Sequence, residues 1–307
     1  MLGPLVVSAA AFHAPDELLG ESLWRSLCGA VCRKPGGKSG RIAFADSKKL
    51  YTPGKPNALA NLERGVLSAL AAGGQRPDSL VELLGVVAPS AAAKAAACPW
   101  YAGELPLPQA IGDTDRALAG NALRAALQRK GMAVAGLHCE PVFESEYNRL
   151  VTATNNKSIT LFDVTSRLLY AIWCNSPPGE IRIHVDRQGG RMRYLPHLQR
   201  VFEGCSFKIL DETETHSAYR IGGCDRAAEV HFTVGCEQRH LPAALASMTS
   251  KYVRELFMGL LNRFWAMHVP DLAPTAGYCP DGRRFYEQII PAARRLGFAE
   301  HLICRSR

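Results

Sequence analysis

The chain has no Cys-x-x-Cys pair, and its ten cysteines, from Cys28 to Cys304, show no recurring spacing. Only Cys28 and Cys32 stand a helical turn apart, so zinc ribbons and disulfide frameworks are poor fits and free thiols are expected. No apolar run approaches the roughly 20 residues of a membrane span. The N-terminus lacks the basic start and long apolar centre of a signal peptide, because Pro4 comes early and Met1 leads straight into a strand pattern. The expectation is a cytoplasmic protein with no membrane partner. The basic turn Arg33-Lys-Pro-Gly-Gly-Lys-Ser-Gly40 lacks the G-x4-G-K-[ST] spacing of a phosphate-binding loop and reads as an ordinary loop. Acidic residues are the scarcer charge: 28 Asp and Glu against 36 Lys and Arg leave a net charge of +8, with a pI of about 9.0. That excess suits a polyanionic partner without identifying one.

What remains is ordinary globular material. Hydrophobic content of 47% and charged content of 21% over 307 residues are enough for one large core or two modest ones. Leu5–Phe12 is a nearly continuous apolar run, the mark of a buried strand. Leu18–Val31 reads as a helix, as do Asn57–Ala72 and Thr114–Lys130, with Gly73–Pro77 breaking the second. An alanine-rich segment, Ser90–Ala97, precedes a loop from Pro99 to Pro108. Trp100 and Tyr101 in that loop more often pin such a segment to the core than stack on bases. Glu146–Val151 and Asn155–Ile172 are helical, ended by Pro177-Pro-Gly179. Ile181-Arg-Ile-His-Val-Asp186 alternates strictly between apolar and polar, which predicts a strand closed by Asp186 before a Gly-rich loop. His184 shares that strand's polar face and reads as a core residue. Cys205–Asp211, Ser217–Ile221 and Ala228–Gly235 are further strands, with Asp211-Glu-Thr-Glu-Thr-His216 as a solvated turn. Phe285–Arg295 is a final helix, and the basic tail runs to Arg307.

The most informative stretch is Ala246–Met258, continued to Trp265. Val253, Leu256, Phe257, Leu260, Leu261 and Phe264 fall at the i, i+3, i+4 spacing of an amphipathic helix. Lys251, Arg254, Glu255 and Asn262 form its opposite face. Taken alone, Lys251 and Glu255 are a weak i, i+4 pair on a solvated surface.

The order of residues adds more. Ala246-Ser247, then Lys251, Arg254-Glu255 and Met258, resemble the Ala-Ser-x-x-Ala-Lys-x-x-Arg-Asp-x-x-Met helix of ribonuclease HII, with Glu255 in place of the usual Asp. Asp46-Ser-Lys-Lys-Leu50 is identical to that family's signature turn. Asp186 resembles its strand-end aspartate, although Arg187 replaces the following glycine. Pro274-Thr-Ala-Gly-Tyr278 resembles the segment whose tyrosine packs on the ribose at an RNA–DNA junction, with Arg283 where the family has His. Met1-Leu-Gly-Pro-Leu-Val-Val7 resembles the run that follows the family's Asp-Glu-x-Gly-x-Gly motif, two of whose acids bind metal. Either catalysis has been lost or the start codon is assigned too far downstream. The second is preferred, because the remaining motifs survive.

The resemblance implies an α/β, ribonuclease H-like mixed sheet flanked by helices, as one domain over 1–307. Residues 73–145 and 200–240 would be enlarged insertions, and 266–307 a C-terminal helical part that grips substrate. The implied activity is an endonuclease hydrolysing the RNA strand of RNA–DNA hybrids, or DNA containing ribonucleotides, with Mg2+ or Mn2+. Asp186 and Glu255 would be catalytic and metal-binding. Ser47, Lys48, Lys49, Lys251, Arg254, Tyr278 and Arg283 would contact nucleic acid, and the protein would act as a monomer. Two ions held by two carboxylates leave much charge unbalanced. A non-catalytic binder of hybrids or structured nucleic acid, and a resolvase-like nuclease of the same fold, therefore stay open.

Overall fold

The computed structural model describes residues 1–36, 40–223 and 225–306. Residues 37–39 of the basic turn, Cys224 and Arg307 lie outside the described residues. In chain order the strands are β1 (Leu5–His13), β2 (Val31–Cys32), β3 (Ile42–Ala43), β4 (Ala133–Val142), β5 (Gly179–Asp186), β6 (Ser206–Glu212), β7 (His216–Gly222) and β8 (Arg226–Thr233). The first helices are α1 (Leu23–Ser26), α2 (Ser47–Leu50), α3 (Ala60–Ala72), α4 (Leu80–Val87), α5 (Pro89–Ala96) and α6 (Asp113–Gln128). After β4 come α7 (Glu144–Thr154), α8 (Lys157–Asn175), α9 (Leu195–Val201), α10 (Leu241–Ala266) and α11 (Asp281–Arg295).

The protein is α/β with mixed sheets. β1 and β4 pair antiparallel, Leu5 opposite Val142 and His13 opposite Ala133. A four-stranded sheet runs β5-β8-β7-β6, with β5 parallel to β8 and the other pairs antiparallel. The alternation read along Ile181–Asp186 survives in three dimensions. Ile183 is buried against Phe162 and Leu169 of α8, Val230 and Phe232 of β8, and Tyr219 of β7. His184, one residue on, stacks on His240, the residue just before α10. Hence α8 covers one face of this sheet and the start of α10 the other.

The helix α10 is 26 residues long and is the spine of the larger core. Pro242 sits in its first turn, where no N–H partner is lost. Met248, Tyr252, Phe257, Leu261 and Trp265 are fully buried along it, each such side chain contributing roughly 1.5–3 kcal/mol. The expected solvated face is not solvated: Arg254 is 6% and Glu255 8% exposed. The N-terminal Leu2-Gly3 and the segment Thr275–Tyr278 close over them, joined by Leu2 N donating to Gly277 O at 3.0 Å. Both glycines have φ of +81°. A Cβ at Gly277 would lie 2.6 Å from Leu2 O, and one at Gly3 would strike the Met258 sulfur. Close approach requires glycine at both places.

Two local expectations are corrected. Leu18–Val31 is not one helix: α1 is a single turn, and Val31 leaves it to pair with Ile42. Trp24 Nε1 donates to Phe44 O at 3.0 Å, so tertiary contacts override a periodicity bracketed by Gly20 and Gly29. Residues 133–142 carried no strand expectation, yet β4 is the partner of β1 and belongs to the central structure. The aromatic pair behaves as the loop anchor expected. Trp100 and Tyr101 are each 3% exposed, Trp100 stacked on Trp265 and Tyr101 edge-on to Phe257. Among the described residues no helix is long and apolar enough to cross a membrane.

Candidate nucleic-acid interface

Asp46 caps α2 by accepting the Lys48 N–H at 3.0 Å, the usual reason for an aspartate just before a helical turn. The cap points Ser47 inward, where its hydroxyl meets the Ser247 hydroxyl of α10 at 3.0 Å. Lys48 and Lys49 are left exposed on the outside of the turn. One residue further, the Tyr51 hydroxyl donates to Glu255 Oε2 at 2.6 Å. Burial, then this bond to a carboxylate, drives the Tyr51 pKa up.

Glu255 is therefore the hub of a cationic and aromatic cluster. Its Oε1 accepts from Lys251 Nζ at 2.5 Å and from Arg254 at 3.3 Å. The Lys251 ammonium sits 4.3 Å from the Tyr51 ring centre and 5.7 Å from that of Tyr278, and the Arg254 guanidinium 4.4 Å from Tyr278. Such contacts hold rings and cations face to face. Arg254 also donates to Leu2 O and Ala276 O, both at 3.1 Å. Tyr278 keeps 44% of its surface exposed. The structure thus gathers Ser47, Lys251, Arg254, Glu255 and Tyr278 from three distant stretches, with Lys48 and Lys49 at the rim. Arg283 is not in the cluster: it is exposed on α11 and pairs with Glu287 at 2.9 Å.

Asp186 has other neighbours. Its Oδ1 accepts the Cys236 N–H at 3.1 Å. The Glu237 carboxyl lies beside it, its pKa raised by burial first and then by the charges of Asp186 and Asp46. Burial and Asp186 push the Cys236 thiol up to about 12. Among the described residues, Asp186 and Glu255 do not share a hydrogen bond or ion pair. Sequence reasoning missed Tyr51 and Glu237. Tyr51 was within reach of a signal, being next to the Asp46–Leu50 turn.

The donor set does not fit a two-ion centre. Divalent magnesium or manganese needs open carboxylate oxygens close together. Both Glu255 oxygens are already taken by Tyr51, Lys251 and Arg254. Among the described residues no group of three or more His, Cys, Asp or Glu is placed to hold a metal ion. The four stacked histidines nearby do not change this. His240, His184, His231 and His216 form a row with ring centres 3.5–5.4 Å apart, ending at Asp211, which is 2.7 Å from His216 Nδ1. The expected solvated turn is present but shorter than 211–216: Thr213, Glu214 and Thr215 are exposed, while Asp211, Glu212 and His216 belong to the ends of β6 and β7. Burial, and then its imidazole neighbours, lower the His184 pKa to about 3.

No family model, no curated protein and no solved structure matches this chain.

Proposed function

We propose that the protein is a ribonuclease H-type endonuclease acting on the RNA strand of RNA–DNA hybrids, or on ribonucleotides within DNA. One observation carries the reading. The short motifs that resemble ribonuclease HII are far apart in sequence, yet Leu2-Gly3, Ser47, the Ser247–Glu255 stretch and Gly277-Tyr278 are linked by direct contacts: Ser47 to Ser247, Arg254 to Leu2, Lys251 to Tyr278 and Leu2 to Gly277. Chance matches to a family pattern have no reason to converge. Around them, Lys48 and Lys49 offer point charges to phosphates, and Tyr278 offers an exposed ring to a sugar. The ribonuclease H-like form of the α/β fold and a single domain over 1–307 belong to the same proposal.

Magnesium or manganese is the cofactor this reading implies. With Glu255 engaged as it is, no hydrolytic step is assigned to Asp186 and Glu255. The Lys251–Glu255 contact favours a second reading, in which the chain binds hybrids without cutting them. A duplex carrying one ribonucleotide, with all-DNA and hybrid controls, separates the two. Metal-dependent cleavage at the ribonucleotide supports the nuclease. Metal-independent binding with no cleavage supports the binder. Cleavage of all-DNA junctions would defeat both.

A further inference from the structure

The positive charge of the chain is concentrated. Residues 25–55 hold eight Lys and Arg and a single acid, Asp46, so +7 of the net +8 falls in that one stretch. Lys38 lies outside the described residues; the other seven cations are all exposed. The Asp46 carboxylate is occupied in capping α2. Among the described residues, Arg25, Arg33, Lys34, Lys48, Lys49 and Lys55 take part in no ion pair, whereas Lys94, Arg283 and Arg294 elsewhere on the surface each meet an acid. Like charges gathered this way repel one another, and a polyanionic partner relieves the repulsion.

The fold brings these cations to one side. β2 and β3 run parallel, Cys32 opposite Ala43. The residues that follow them therefore leave the pair at the same end: Arg33 and Lys34 after β2, and the turn bearing Lys48 and Lys49 after β3. Arg33 is fixed there. Its guanidinium lies 3.7 Å from the centre of the Trp24 ring and donates to Gln238 O at 2.5 Å. Arg25 follows Trp24 and Arg239 follows Gln238, and both are exposed. The short turn Cys236–Gln238 bridges the two groups, because its Glu237 feels the charge of Asp46. The cations form a strip from Arg25 through Arg33 and Arg239 to Lys48. Its last members border the Glu255 cluster through Ser47 and Tyr51.

We propose that this strip binds the phosphate backbone of the duplex that flanks the ribonucleotide, so that a long duplex is held better than a short one. The inference rests on the nucleic-acid reading above and extends it to a new surface: Arg25, Arg33, Lys34 and Arg239 lie outside every motif that resembles ribonuclease HII. Exposed ammonium and guanidinium groups contact phosphates without regard to base sequence. A site on a membrane surface adds apolar side chains to bury. Among the described residues, 25–55 contribute no exposed large hydrophobic side chain.

The test is duplex binding by fluorescence anisotropy without divalent ions, which reads contact whether or not the chain cuts. Duplexes carrying one ribonucleotide are lengthened on one side or the other. Affinity should rise with length on one side only and then level off. Arg25→Gln combined with Lys34→Gln should remove two phosphate contacts, lowering the log–log salt slope by roughly 1.8 and shrinking the gain from the longer flank. Both side chains are exposed, so a melting temperature equal to that of wild type is expected. Lys130→Gln, at an exposed cation just past α6, should change neither slope nor length dependence. If wild type binds duplexes and the double variant keeps its slope and length dependence, the strip is overturned while the nucleic-acid reading stands. An equal effect of Lys130→Gln also overturns the strip. If wild type binds no duplex of any length, both fall. Binding to phosphatidylserine vesicles in preference to duplex, lost in the double variant, would assign the strip to a membrane and overturn the proposal.

Discussion

The Lys251 ammonium lies 2.5 Å from Glu255 Oε1, in the position of a counter-cation to the one carboxylate on α10. Both side chains are largely buried, at 17% and 7% exposed, so the pair is sheltered from salt in a way a surface pair is not. Lys251→Met should leave Glu255 Oε1 with only the longer, 3.3 Å contact to Arg254. A thermal melt with and without manganese reads this: the variant should gain more from the ion than wild type does. An equal response in both proteins would mean that Lys251 does not compete with metal.

Asp186→Asn tests the other carboxylate. On the nuclease reading it should abolish metal-dependent cleavage of a single-ribonucleotide duplex and leave hybrid binding nearly unchanged. Cleavage at the wild-type rate would remove Asp186 from the chemistry.

Lys48, Lys49 and Arg254 of the candidate interface should separate into two kinds. Lys48 and Lys49 are exposed, so Lys48→Ala should lower the log–log salt slope of hybrid binding by roughly 0.7–0.9, for all sequences alike. Arg254 spends its donors on Leu2 O, Ala276 O and Glu255. Arg254→Ala should therefore cost about 3–5 kcal/mol of stability, by stripping a buried pair of one partner, and hardly change the slope. Urea unfolding and binding titrations at several salt concentrations check both halves.

Tyr278→Ala should reduce the preference for a ribose-containing duplex more than it reduces overall affinity, because a ring against the sugar senses the 2′-hydroxyl. Equal losses on hybrid and all-DNA duplexes would speak for the resolvase-like alternative.

Acid should weaken the fold through the histidine row. His184 is held at about 3 by burial, below the usual imidazole value near 6.5. Between those values the unfolded chain binds a proton that the folded chain refuses, so stability falls as pH drops through that window. At pH 5 the loss from His184 is about 2 kcal/mol. His184→Phe keeps a ring for stacking and removes the proton; its urea midpoint should fall less than that of wild type between pH 7 and 5.

Much of the architecture was legible from local chemistry. The strict alternation of 181–186 placed a strand with Asp186 at its end, and apolar periodicity placed α3, α6 and α10, because those patterns record which side of a short element faces the core. The Asp46–Leu50 turn was legible as a unit because a cap and its helical turn lie within five residues. What lay beyond the sequence was everything that depends on a distant segment. Whether the Lys251–Glu255 face met water was decided by Leu2-Gly3 and Thr275–Tyr278 closing over it, through contacts some 20 to 250 residues away in the chain. The histidine row arises from residues on β5, β7 and β8 and just before α10, whose spacing carries no common period. That row is a relation between neighbouring strands, set by backbone pairing. Side-chain patterning tells which face of a strand is buried; only the assembled sheet decides which edge has a partner.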